Sequence, residues 1–118
     1  MSAKSTKKPK AKNLYIGLWH IYEMELWDEE FCNMEVQAFI EVNKGNVGNF
    51  QFGLVRGHLG GNLEKGESGE RLVFTWEGQD EMDPASGMGW LRLTDKDEIE
   101  GLICFHMGDR SEFKAIRA

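Results

Sequence analysis

The sequence lacks most of the features by which membrane, secreted or catalytic proteins are recognised. Its longest uninterrupted apolar runs are a few residues, far short of the roughly 20 that cross a bilayer. No HExxH, CxxC, GxSxG or phosphate-loop motif occurs. We therefore expect no membrane-spanning segment, no cofactor and a protein that is not an enzyme.

Cysteine is scarce as well, with only Cys32 and Cys104 in 118 residues. The first twelve residues, MSAKSTKKPKAK, lack the apolar stretch of a secretory signal, which favours a cytoplasmic location. Because that compartment keeps thiols reduced, we expect two free cysteines rather than a disulfide.

Basic residues are few after position 12, where nine lysines and arginines face twenty acidic residues. Residues 1–12, in contrast, hold five lysines and no acid. An acidic body repels phosphate backbones, so we expect no nucleic-acid binding by the folded part. We predict a disordered basic tail at 1–12 and a single domain at 13–118.

Helical periodicity is nearly absent, and apolar residues recur at every second position from Asn13 onward. Short connections rich in glycine and asparagine separate the predicted strands. This pattern predicts an all-β antiparallel meander of about seven to eight strands that forms a small barrel or a strongly curved sheet. Seven strands are evident, and an antiparallel barrel needs an even number, so an eighth is expected within 57–63. The first strand is predicted to turn one apolar face inward: Leu14, Ile16, Leu18, His20, Tyr22, Met24 and Leu26.

The opposite face of the predicted sheet is not purely polar, because aromatic side chains interrupt it. We group four of them as an aromatic face: Trp19, Trp27, Phe39 and Trp90. An extended apolar surface on a soluble domain indicates a binding site. We therefore predict a binding or protein-interaction module that uses this face to bind a protein partner or a second copy of the chain.

The stretch EGQDEMDPASGMGW, residues 77–90, is the most unusual in composition. Its acids are predicted to meet the connection between the last two strands at one end of the sheet. A metal site there would use some of Asp80, Glu81, Asp83, His106 and Asp109. The favoured alternative is a structural turn, because aspartate, proline and serine each satisfy or fix turn backbone. In either case, Gly87 and Gly89 are expected to leave room for a bulky residue across the sheet.

Two segments resemble known groups. Gly17-Leu18-Trp19 resembles the Gly-x-Trp signature of the calycins, which include lipocalins and fatty-acid-binding proteins. The resemblance implies a barrel floor closed by Trp19 under a basic side chain, for which Arg117 is the match, and a small apolar ligand held inside. It requires the eighth strand, because a seven-strand meander separates these two residues.

The region from Trp76 to the C-terminus resembles a group of small, functionally uncharacterised bacterial β-rich proteins. Their DEMDPASG-like turn reads TWEGQDEMDPASGMGW here, and their HxGD segment reads FHMGDRSEF. This resemblance implies a β fold and a bacterial origin, and it implies no activity.

Overall fold

A computed structural model describes residues 13–67 and 69–118, so the predicted tail at 1–12 lies outside the described part. The chain forms one closed barrel of eight antiparallel strands in sequence order, with the first strand paired to the last. The elements are β1 (Gly17–Met24), α1 (Glu29–Cys32), β2 (Phe39–Asn43), β3 (Val47–Phe52), β4 (Val55–Gly66), β5 (Gly69–Asp80), β6 (Asp83–Asp95), β7 (Glu98–Phe105) and β8 (Arg110–Arg117).

The all-β antiparallel prediction is confirmed, and so is the eighth strand at 57–63, which lies within β4. β5 continues to Asp80 and β6 starts at Asp83, so a tight turn joins these two long strands. The segment between β1 and β2 contains α1, a single helical turn whose Phe31 amide donates to the side chain of Asp28 at 2.9 Å.

Aromatic side chains fill the middle of the barrel. Phe50 packs edge-on against Trp76, with ring centroids 5.0 Å apart, and stacks on Phe52 at 6.0 Å. The expected role of the two glycines is confirmed: a β-carbon on Gly89 would lie 2.6 Å from the ring of Phe74, and one on Gly87 would lie 3.0 Å from the indole nitrogen of Trp76. The absence of a side chain at these two positions of β6 therefore makes room for the large rings of β5.

The facing of β1 is the reverse of the prediction. Trp19 and Ile21 point inward and are 0% and 3% exposed, whereas Leu18 and Tyr22 point outward. An irregularity in the pairing with β8 between Ile21 and Glu23 then shifts the alternation by one residue. Because of that shift, the side chain of Met24 points into the interior. Of the residues in β1 that were predicted to face inward, Met24 alone lies in the core.

The two ends of the barrel are closed differently. At the end where β1 starts, which we call the floor, Arg117 lies across Trp19. At the opposite end, the segment from Trp27 to Cys32, which we call the lid, packs onto the core. The Gly53 amide donates to the Cys32 carbonyl at 2.8 Å, which ties the lid to the turn between β3 and β4.

Candidate functional site

The four residues of the predicted aromatic face do not share a surface. Trp19 is fully buried in the barrel and donates its indole N–H to the Tyr15 carbonyl at 2.9 Å. The prediction that it is exposed for binding is wrong because both faces of β1 are apolar, and alternation alone does not decide which one points inward. Trp19 is a core residue.

Trp27 is also a packing residue, located in the lid. Its ring lies 5.1 Å from that of Phe52, 6.2 Å from Phe31 and 6.3 Å from Phe105, measured between centroids. These contacts cover the open end of the barrel and leave Trp27 partly exposed. It is therefore not available as a flat binding surface together with the other three.

Trp90 and Phe39 do lie on the outside, but far apart around the barrel. Trp90 belongs to β6 and is covered by two arginines, with the guanidinium of Arg71 5.2 Å and that of Arg92 5.9 Å from its ring. Cation–π contacts of this kind occupy the aromatic surface. Phe39 belongs to β2 and is the register partner of His20 on β1.

Around Phe39 the structure assembles an apolar surface that the sequence did not reveal. We call it the β1 outer face, and its apolar members are Leu18, Tyr22, Phe39 and Ile116. His20 lies at its centre, because it pairs with Phe39 on one side and with Ile116 on the other. Leu18, Tyr22 and Ile116 are 38%, 43% and 47% exposed. Most outward strand positions are polar, so this face is unusual.

Tyr22 makes a short hydrogen bond on the β1 outer face. Its hydroxyl donates to Glu98 Oε2 at 2.6 Å, across β8. This bond to a carboxylate raises the pKa of Tyr22 to about 12. Tyr22 therefore stays neutral and can donate throughout the physiological range.

The predicted acidic metal set is divided between two turns. Asp80, Glu81 and Asp83 form the exposed tip of the β5–β6 hairpin, where Glu81 has a φ of 59°. Gly87 on β6 pairs with Phe105, the last residue of β7, and β6 begins four residues before Gly87. At about 3.3 Å per residue, the hairpin tip therefore extends roughly 13 Å beyond the Gly87–Phe105 pair.

The other two members of the set, His106 and Asp109, stay in the β7–β8 turn. The His106 amide donates to the Ser86 carbonyl at 2.7 Å, and the Phe105 amide donates to the Asp109 carbonyl at 2.8 Å. Within residues 13–67 and 69–118, no group of three histidine, cysteine, aspartate or glutamate side chains is placed to hold a metal. The predicted metal ligands are thus not brought together as one cluster, and residues 80–83 form the turn between β5 and β6.

The interior is occupied by the chain's own side chains. Leu72, Phe74 and Leu91 are 0–2% exposed, and Phe50 and Trp76 beside them are 1–3% exposed. Side chains that line a ligand-sized cavity retain accessible surface, so these values exclude such a cavity between them. The expectation of a small apolar ligand inside the barrel is therefore not supported.

The floor brings together the pair that the calycin resemblance implied. The guanidinium of Arg117 lies 4.1 Å from the ring centroid of Trp19, its register partner. The same group donates to the carbonyls of Leu14, Ile16 and Lys96 at 2.9–3.1 Å. One side chain thereby joins the segment before β1 to the β6–β7 turn.

A concavity of about 960 Å³ is an open groove on the outside of β4–β7. One row of polar residues crosses it, because His58 pairs with Glu77, Glu77 with Ser86, and Ser86 lies next to His106. His58 Nδ1 lies 2.8 Å from the side-chain oxygen of Asn49. Sequence reasoning missed this groove because its residues come from four strands and meet only when the register is known.

The fold and surface define an eight-stranded antiparallel barrel with a filled interior and with its candidate binding surfaces outside. In comparisons with known proteins, no family model, no curated protein and no solved structure matches the chain. No helix in the described part of the chain has the length and apolar character needed to span a bilayer.

Proposed function

We propose that the protein is a non-enzymatic interaction module that binds another protein chain through the β1 outer face. The observation that carries this proposal is the two-sided apolar character of β1. Trp19 and Ile21 serve the core, so Leu18 and Tyr22 are not needed there and are left in water. Exposed apolar surface of this kind marks interaction sites.

The chemistry of the face suits a protein surface better than a small molecule. Tyr22 and Phe39 supply rigid aromatic area, and Leu18 and Ile116 extend it across neighbouring strands. Interface centres are enriched in such residues and depleted of charge. Glu98 accepts the hydrogen bond of Tyr22 at 2.6 Å and provides a polar edge.

A second copy of the chain is the partner that this argument identifies. Two identical apolar sheet faces pack about 10 Å apart with interdigitating side chains, and a two-fold arrangement covers both faces at once. The body beyond residue 12 carries nine basic and twenty acidic residues, so most of its surface repels another copy. An apolar face is where that repulsion is weakest.

Sedimentation over a range of concentrations tests the proposal. We expect a dimer for the natural chain, and we expect Leu18→Lys to weaken association by about thirtyfold or more, as loss of an interface hot spot does. Leu63→Lys is the matched control, because Leu63 is 39% exposed and lies on β4, outside the face. A monomer at the highest concentration, or equal weakening by both substitutions, would refute self-association through this face.

We also infer a distant kinship with the calycins. The stacking of Arg117 on Trp19 and its bonds to floor carbonyls support this inference. The filled interior departs from the ligand-carrying members of that group, so the kinship brings no internal ligand to this chain. The likeness to the small bacterial proteins, bacterial origin and a cytoplasmic location stay predictions.

A further inference from the structure

The outer groove of β4–β7 contains an arrangement of sulfur and nitrogen donors that the proposed interaction function does not use. Met88 on β6 and Cys104 on β7 are register partners, and both point outward. Directly opposed residues of antiparallel strands have β-carbons about 5 Å apart. The side chains of Met88 and Cys104 are therefore neighbours on the lining of the groove.

His106 supplies a nitrogen donor next to this pair. It follows Cys104 by two residues, at the start of the β7–β8 turn, and its side chain is exposed. Its amide donates to the Ser86 carbonyl at 2.7 Å, which extends the pairing of β6 and β7 by one residue. Met88, Cys104 and His106 all line the same concavity.

The two cysteines of the chain differ in their fitness as ligands. Cys32 is buried beneath the lid, where burial and then the nearby Asp28 raise the pKa of its thiol. Its sulfur lies 3.9 Å from the Trp27 carbonyl. Cys104 is partly exposed on the open groove, so an ion in the solvent can reach its sulfur.

We propose that Met88, Cys104 and His106 form a binding site for a soft monovalent metal ion of the copper(I) class. Thiolate and thioether sulfur favour such ions over hard divalent cations. Within residues 13–67 and 69–118, no three histidine, cysteine, aspartate or glutamate groups converge. The third donor of this site is a methionine, which supports a soft ion and argues against zinc, calcium or magnesium.

Anaerobic titration of the full-length chain with copper(I), in competition with a chromogenic copper(I) chelator, tests the site. We expect one ion per chain. Cys104→Ser should lower the affinity by more than about a hundredfold, beyond the effect of losing an outer-shell partner, and Met88→Leu by about tenfold. Both side chains are at least partly exposed, so thermal melts should show that both variants fold.

Two matched substitutions separate this site from adventitious sulfur binding. Cys32→Ser changes the other free thiol, and Met82→Leu changes a methionine that is 91% exposed in the β5–β6 turn. Both should leave the affinity unchanged. Failure of the natural chain to compete for copper(I), or equal losses for the matched substitutions, would overturn the proposal.

Discussion

The two ends of the barrel are closed by different kinds of interaction. The floor depends on one charged side chain, because Arg117 stacks on Trp19 and donates to three carbonyls from two segments. The lid depends on apolar contacts of Trp27 with Phe31 beside it and with Phe52 beneath it. Directed bonds fix the floor in one geometry, whereas the partly exposed lid residues contribute through contact area.

The two ends of the barrel should therefore differ in stability and in how they open. At the floor, loss of the Arg117 guanidinium removes the bonds to three carbonyls at once, so that end is expected to open as a unit. At the lid, apolar contact area can be lost gradually. We therefore expect local opening to start at the lid, where few contacts are fully buried.

Replacing a tryptophan at each end gives the largest expected effect. Trp19→Ala should destabilise the fold by about 4 kcal/mol, because it empties a fully buried ring site and removes the bond to the Tyr15 carbonyl. Trp27→Ala should cost about half as much, since Trp27 is partly exposed. Denaturant unfolding measures both. Equal losses would remove the proposed difference between floor and lid.

Arg117→Lys tests the directed bonds of the floor without removing the charge. Lysine lacks the planar fork that reaches several carbonyls at once, so we expect a loss of about 2 kcal/mol. Arg110→Lys on the same strand is the control, because Arg110 is exposed, and it should change the unfolding free energy by less than about 0.5 kcal/mol. If Arg117→Lys has as little effect as the control, stacking and packing hold the floor without the fork.

Only the calycin resemblance predicted that Trp19 and Arg117 meet at the floor, because the seven strands evident in the sequence separate these two residues. The missing strand was hidden by Gly57, Gly60 and Gly61, which break the apolar alternation of β4. A β-carbon on Gly57 would lie 2.5 Å from the ring of Phe50 and 2.9 Å from Trp76. The glycine is required by rings from neighbouring strands, and that requirement is visible only once those strands are paired.

The candidate surfaces were harder to predict than the fold. Alternating apolar residues correctly predicted that β1 is a strand. However, both sets of alternate residues in β1 are apolar, and no sign of the pairing irregularity after Ile21 is visible in the sequence. Choosing the wrong parity assigned Leu18 and Tyr22 to the core and Trp19 to the surface. Phe39 was assigned to the correct side because β2 has apolar Ile40 and Val42 on the other.

Phe31→Ala probes the lid alone. The ring lies over the turn between β3 and β4, where a β-carbon on Gly53 would come within 2.4 Å of it. We expect a loss of about 1.5 kcal/mol, the value for partial burial of a large apolar side chain.

Hydrogen exchange shows whether that loss is local. The Gly53 amide, bonded to the Cys32 carbonyl at 2.8 Å, should exchange faster in the variant. The Ala118 amide at the floor, bonded to the Leu18 carbonyl at 2.9 Å, should keep its protection. Equal acceleration of both amides would mean that the two ends open together.

The smallest expected effect concerns a contact on the outside of the barrel beside the floor, between Tyr22 and Glu98. The hydrogen bond raises the folded-state pKa of Tyr22 from 10.0 to about 12. Its contribution to stability is therefore fully present below pH 10 and is lost as the pH rises towards 12. Because the pair is exposed to solvent, we expect that contribution to be below about 1 kcal/mol. The difference in unfolding free energy between the natural chain and Tyr22→Phe should accordingly shrink across this window and stay constant at lower pH. Tyr15 is retained in both proteins, so its own raised pKa cancels in the comparison.

Glu98→Gln should return the tyrosinate absorbance transition of Tyr22 towards pH 10, because the negative charge is gone. A transition that stays near 12 in this variant would show that burial, rather than the carboxylate beside the floor, controls Tyr22.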